Sequence, residues 1–192
     1  ADTVPYEFNT SDNTLTDGIV WIMTQIRDVA IINVTSANWA YQGWILDITV
    51  TVKNTGEITE TFSVEAYYDS NLVGNTTVEN LPPGEQTPLV FYWNTSTVPA
   101  CQNYTLSAEI PPIPYEFNTT NNHYIDGKVK IRVFGDVTGD GSVGIDDIVM
   151  TAEAFGTTPD HPRWNPYADL TGDNYVGIDD IVAVAANFGA HC

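Results

Sequence analysis

Two stretches of this sequence place oxygen-bearing side chains at alternate positions, a pattern suited to gripping a hard cation. The first carries Asp136, Thr138 and Asp140, with Ser142 placed to offer its main-chain carbonyl and Asp147 closing the shell at the twelfth position. Asp169, Thr171, Asp173, Tyr175 and Asp180 repeat the arrangement. Both loops are of the D-x-[DN]-x-[DN]-G kind, so two bound Ca2+ ions are expected. Gly141 supplies the sharp turn in the first loop, and Asn174 takes its place in the second because Asn tolerates a left-handed backbone better than most residues.

The elements that hold these loops are themselves duplicated. GDVTGDGSVGIDDIVMTAEAFG from Gly135 returns as ADLTGDNYVGIDDIVAVAANFG from Ala168, 33 residues later. Ile148, Ala152 and Phe155, like Ile181, Ala185 and Phe188, recur at helical spacing, and Gly156 and Gly189 follow as stop signals. Each unit is a loop followed by one short helix. This pair resembles a dockerin, the duplicated calcium-loop and helix module of cellulosomal enzymes and of bacterial and archaeal surface proteins. Thr138 and Thr171 stand where dockerin loops usually carry Asn, and Ile145-Asp146 and Ile178-Asp179 stand where cellulosomal dockerins commonly show the cohesin-contacting Ser-Thr.

Charge excludes one class of partner. The chain holds 25 acidic and 6 basic residues, for a net charge of −19. Six scattered cations cannot make the basic patch that nucleic acid requires. No apolar run approaches the length of a membrane span. The sequence opens at Ala1-Asp2 without a basic and apolar leader, as expected of a mature secreted form or of a fragment. Six acceptor sequons, at Asn9, Asn33, Asn75, Asn94, Asn103 and Asn118, agree with secretion and glycosylation. Cys101 and Cys192 form no metal-type CxxC motif. One disulfide, within the chain or to a neighbour, is expected of an oxidising compartment, with two unrelated thiols as the alternative.

Before the loops the pattern changes to period two. Asp28–Ser36, Trp44–Val52, Phe62–Tyr68, Leu72–Gly74, Pro88–Trp93, Tyr104–Ile110 and Lys128–Val133 read as seven short strands separated by turn signals. In the last, Val129, Ile131 and Val133 face inward and Lys128, Lys130 and Arg132 outward. VTVKNTG, YYDSNLVG, LPPGE and EFNTTNN in this region resemble a CARDB-type immunoglobulin-like module of surface proteins, which implies a spacer, adhesive or assembly role. The first residues then become a second repeat: VPYEFNTSDNTLTDGIVWI from Val4 aligns to IPYEFNTTNNHYIDGKVKI from Ile113, with 11 of 19 residues identical at an offset of 109. Ile19, Trp21 and Met23 replace the three outward cations of the later copy, and a strand apolar on both faces is normally covered on both.

The expected fold class is therefore mainly β. An immunoglobulin-like antiparallel β-sandwich occupies 27–133, a small α-helical dockerin-like double calcium-loop module occupies 134–192, and 1–26 is an N-terminal strand segment repeating the sandwich's last strand. No catalytic residue is assigned, because His123, His161 and His191 are scattered and the dense carboxylates are already spoken for as calcium ligands. The expected function is non-catalytic: an extracellular, calcium-binding cell-surface protein that self-assembles head to tail by donating Val4–Met23. Docking of the dockerin-like part onto a cohesin-like partner is the first alternative. A carbohydrate-binding module using Trp39, Trp44 and Trp93 is the second.

Overall fold

The computed structural model describes residues 25–192 together with Tyr6. The expected donor strand Val4–Met23 and the sequon at Asn9 lie outside the described residues.

Period-two patterning produces two sheets. In β3 (Ile45–Asn54), Leu46, Ile48, Val50 and Val52 are buried while Ile45 and Asp47 are exposed, as alternation dictates. β1 (Val29–Thr35) and β6 (Gln86–Asn94) flank it antiparallel, giving a three-stranded sheet in the order β1-β3-β6. The second sheet holds β2 (Trp39–Tyr41), β8 (His123–Arg132), β7 (Asn103–Glu109), β4 (Glu60–Tyr68) and β5 (Asn71–Leu81), in that spatial order. Its pairs are antiparallel apart from β2 with β8. Ile48 and Val50 from one sheet meet Val64, Leu106 and Ile131 from the other in a single core.

A polar latch closes the entry to this sandwich. Arg27 Nε and Nη2 donate to the buried Glu60 carboxylate at 2.7 and 2.6 Å. The EFNT turn before β8 docks on the same residues: Phe117 N donates to Arg27 O, Asn118 N to Asp28 Oδ1, and Val29 N to Glu116 Oε1. Gly56 makes the close approach possible, since a Cβ there would lie 2.6 Å from Ile26 O.

The strand count differs from expectation. Among the described residues eight strands are present, because Trp39-Ala40-Tyr41 pairs in parallel with Lys130–Arg132 through only three residues, too few to show any period. β5 continues past Gly74 to Leu81 through the polar run Asn75-Thr76-Thr77, and β8 begins at His123 because Asp126-Gly127 is an irregularity inside a strand.

After Val133 come two loop and helix units, with α1 (Ile145–Glu153) and α2 (Ile178–Ala186). They interlock. Val143 N donates to Ala190 O and Gly189 N to Val143 O, while Gly156 N donates to Val176 O and Val176 N to Thr157 O. Each loop is thus pinned by the segment that follows the other unit's helix. The buried faces are Asp147, Thr151 and Ala154 on one unit and Asp180 and Val184 on the other. Ala152, Phe155, Ala185 and Phe188, members of the helically spaced apolar set, point to solvent.

Candidate metal centre

Each loop is closed by carboxylates that accept main-chain N–H groups. Asp136 Oδ1 accepts from Gly139 N at 2.7 Å and Oδ2 from Gly141 N at 3.1 Å. Asp147, nine residues beyond Thr138, accepts from Thr138 N at 2.9 Å and its hydroxyl at 3.0 Å, and from Gly144 N at 2.7 Å. The second loop repeats this closely. Asp169 accepts from Gly172 N and Asn174 N at 2.8 and 2.9 Å, and Asp180 from Thr171 N and Gly177 N at 2.9 and 2.7 Å. Asp147 and Asp180 sit in the first turns of α1 and α2, where the helix macrodipole favours negative charge. Gly141 at φ 93° and Asn174 at φ 66° both adopt the left-handed conformation expected of them.

Asp140 and Asp173 each accept the amide two residues on, from Ser142 and Tyr175. The Ser142 hydroxyl and amide hold the exposed Asp140 carboxyl below the usual carboxylate range.

Burial separates these carboxylates. Asp136, Asp147, Asp169 and Asp180 are between 0% and 6% exposed. Among the described residues the ion pair within 4.0 Å is Arg27 with Glu60, so none of the four carboxylates is ion-paired. A buried ionised carboxylate without a compensating charge costs several kcal/mol. Hydrogen bonds alone offset part of that cost. The donor set is all oxygen, from carboxylate, hydroxyl and carbonyl, which fits a hard divalent cation. Among the described residues no group of three His, Cys, Asp or Glu side chains is placed to hold a metal ion.

The first loop is bolted to the sandwich by residues whose role the sequence did not reveal. Tyr41 is fully buried, and its hydroxyl donates to Tyr167 O at 2.6 Å and lies 3.4 Å from Asp136 O. Arg132, expected to point outward among the strand's cations, instead lies 3.9 Å above the Tyr167 ring and directs Nη1 at the carbonyls of Asp136 and Val137. Trp39, Trp44 and Phe134 complete an aromatic cluster that joins the second core, with Val137, Leu170 and Val176. A three-residue strand and one Arg in an alternating run carried no signal of this.

Cys101 and Cys192 are joined within the chain, with a sequence separation of 91. The bond is therefore neither intermolecular nor absent. It touches the first loop: Cys192 N donates to Gly141 O at 3.1 Å. The three tryptophans considered as a sugar platform sit elsewhere: Trp93 is buried and stacked on Tyr68, and Trp39 and Trp44 belong to the junction. Asn33, Asn75, Asn94 and Asn103 are exposed, whereas Asn118 is half-buried and its Oδ1 accepts from Thr120. No helix among the described residues is long and apolar enough to cross a membrane.

Burial pushes the Tyr41 hydroxyl well above its ordinary value. A group raised on folding stabilises fully below its unfolded value, about 10 for tyrosine, and loses that contribution as pH climbs further. Tyr41→Phe is expected to cost about 1 kcal/mol at neutral pH through the lost hydrogen bond. The variant should also show a shallower alkaline loss of stability than the parent, checked by urea unfolding at pH 8 to 11; identical slopes would contradict the assignment.

A family profile described as CARDB matches residues 26–126, more than half of the chain. Among solved structures, a CARDB domain from Pyrococcus furiosus, described as a complex with di-metal ions, is 22% identical with a TM-score of 0.49, covering 58% of this chain and 99% of that one. A domain assigned to a cell surface protein from Methanosarcina acetivorans is 24% identical with a TM-score of 0.46, covering 55% and 92%. A β-glucosidase from Listeria innocua is 12% identical with a TM-score of 0.41, covering 56% of this chain and 16% of the enzyme. Comparison with curated proteins gives no match.

Proposed function

Because the chain belongs to the CARDB family, we propose that it is a non-catalytic structural protein of the cell surface whose C-terminal unit, dockerin-like, is stabilised by calcium and whose N-terminal segment links subunits head to tail. The observation that carries the calcium reading is the set of four buried carboxylates, two in each loop, without an ion pair among the described residues. Asp136, Thr138, Asp140, Ser142 and Asp147 would hold one ion, and Asp169, Thr171, Asp173, Tyr175 and Asp180 the other. Bound Ca2+ would supply each loop with positive charge that its carboxylates lack. Asp147 and Asp180 tie each loop's end to its own helix, so loop closure and helix start form one unit. The residue division at 27, 133 and 134 fits this arrangement, with the latch at one end of the sandwich and the aromatic junction at the other.

Support for assembly comes from the repeat at offset 109 together with the apolar faces of Ile19, Trp21 and Met23. A donated strand makes a heterologous contact, which yields an open filament unless rotation closes a ring. Deleting residues 1–24 is the test. Electron microscopy and light scattering should show loss of polymers with the sandwich still folded, and unchanged assembly would reject the reading.

One observation favours a second reading, docking onto a cohesin-like scaffold. Ile145, Val149 and Phe155 on one unit and Ile178, Val182 and Phe188 on the other are all exposed, giving two matching apolar stripes. A stripe of this kind marks an interaction surface. Charged substitutions at Val149 and Val182 that abolish capture of a scaffold protein while leaving self-assembly intact would establish it.

A further inference from the structure

The three-stranded sheet stops at β6, and among the described residues nothing pairs with its outer edge. Hydrogen bonds at both ends of the β3 and β6 ladder fix which groups face that edge. Asn54 N donates to Glu85 O and Thr95 N to Trp44 O, each at 3.0 Å, and the register between them is unbroken. Odd-numbered residues of β6 therefore bond β3. Val90, Tyr92 and Asn94 turn their N–H and C=O groups outward. Pro88 falls in the same outward set, where its missing N–H removes no bond from the sheet.

Apolar surface lies on both sides of this edge. On the outer face Val90 and Tyr92 are 47% and 66% exposed. On the inner side a cavity of about 230 Å³ opens between β6 and the β4–β5 turn, lined in part by Tyr68, Leu72, Val73 and Trp93. The Trp93 indole nitrogen is buried there without an acceptor among the described residues. An edge strand with unpaired main-chain groups and apolar neighbours above and below is a template for another strand. That strand would have to be apolar on both faces.

Residues 19–23 form such a segment. Ile19-Val20-Trp21-Ile22-Met23 alternates Val20 and Ile22 with Ile19, Trp21 and Met23. We propose that residues 17–24 of a second copy of this chain add to the outer edge of β6. Val20 and Ile22, which correspond to the inward Val129 and Ile131 of β8, face the cavity, and Ile19, Trp21 and Met23 lie beside Val90 and Tyr92. This rests on the reading that the N-terminal segment is donated, and it names the acceptor. Charge agrees: Gln86–Asn94 carries none, and residues 17–24 carry only Asp17, so the pairing avoids repulsion in a chain of net charge −19. The added backbone also brings carbonyl acceptors to the side of the sandwich where the Trp93 N–H is unpaired.

Reach favours a second copy over the same chain. Glu57 N donates to Ile26 O, and Thr55 N to Asp28 O, so Ile26 continues the line of β1. The position outside β6 lies three strand spacings from that line, about 14 Å. Three peptide links from Ile26 to Met23 span at most about 11 Å. In the same chain Met23 falls short of β6, whereas a neighbouring subunit is under no such limit.

Two variants of the full chain test the proposal, read by electron microscopy, light scattering and amide exchange. Val90→Pro blocks the edge by removing an outward N–H, and Tyr92→Lys places a charge on the exposed face. Both should melt near the parent's temperature and fail to polymerise, and the parent's Val90, Tyr92 and Asn94 amides should gain protection on assembly. If both variants polymerise normally while deletion of residues 1–24 prevents it, the tail is donated elsewhere and this acceptor is wrong. If the deletion polymerises too, tail donation itself falls and the acceptor with it. A monomeric parent whose edge amides are protected only while its own tail is present would overturn the second-copy occupant.

Discussion

Chelating calcium is expected to unfold residues 134–192 while the sandwich stays folded. Four carboxylates there are almost fully buried, and with no cation each loop confines two like charges. Every uncompensated one costs several kcal/mol after relaxation. The unit's own core, centred on Val137, Leu170, Val176 and Val184, is small. The burial of its seven apolar side chains is largely offset by the entropy of ordering the chain and leaves little to hold four stranded charges. The sandwich has its own core, its buried Glu60 is paired with Arg27, and its buried Asp28 accepts from Thr55 and Asn118. Circular dichroism should lose its helical signal in EGTA and regain it with Ca2+, and calorimetry should count two ions. Asp147→Ala and Asp180→Ala should each remove one ion. An unchanged spectrum and melting temperature in EGTA, with no binding heat, would refute the calcium reading.

Opening the disulfide should be nearly as damaging. Cys101 and Cys192 close a loop with a separation of 91 residues, and on the chain-entropy model a loop of that size stabilises by about 4 to 5 kcal/mol. Cys101→Ser and Cys192→Ser are each expected to lower stability by most of that amount in urea unfolding. The loss should be uneven. Cys192 N holds Gly141 O, and the bridge between Ser142 and His191 belongs to the same segment, so the first loop is tied to the bond and the second is not. Calcium titration under reducing conditions should therefore show weaker binding at the Asp136 loop and little change at the Asp169 loop. Equal weakening of both would show that the bond acts on the whole unit rather than through Gly141.

Much of this fold was legible because its signals are local. Leu46, Ile48, Val50 and Val52 alternate within one strand, and the sequence shows that alternation directly. The loop residues were legible for the same reason: Asp136 to Asp147 lie within twelve positions, and a duplicate confirmed the spacing as a pattern. What escaped were contacts between distant positions. Tyr41 meets Tyr167 across 126 residues, and Arg132 turns from the expected solvent side because a ring from another unit lies beneath it. Alternation assigns a face to Arg132, yet cannot say what covers that face. β2 was missed for want of length, and β5 was cut short because an exposed edge strand can be polar on both sides. The helices show the reverse problem. Apolar spacing predicted them correctly, while the buried face is built on Asp147 and Asp180, whose burial the loop geometry imposes.

The bond between Cys101 and Cys192 also determines how the chain would carry tension. A pull applied between the latch at Arg27 and residue 192 runs along the backbone to Cys101 and crosses the sulfur bridge, leaving everything in between slack. Roughly 90 residues, some 300 Å if drawn straight, are withheld from extension. β7, β8, both loops and both helices sit inside that withheld length. Under such a pull, strain would fall on β1 to β6, and the two C-terminal loops would keep their shape while the rest stretched.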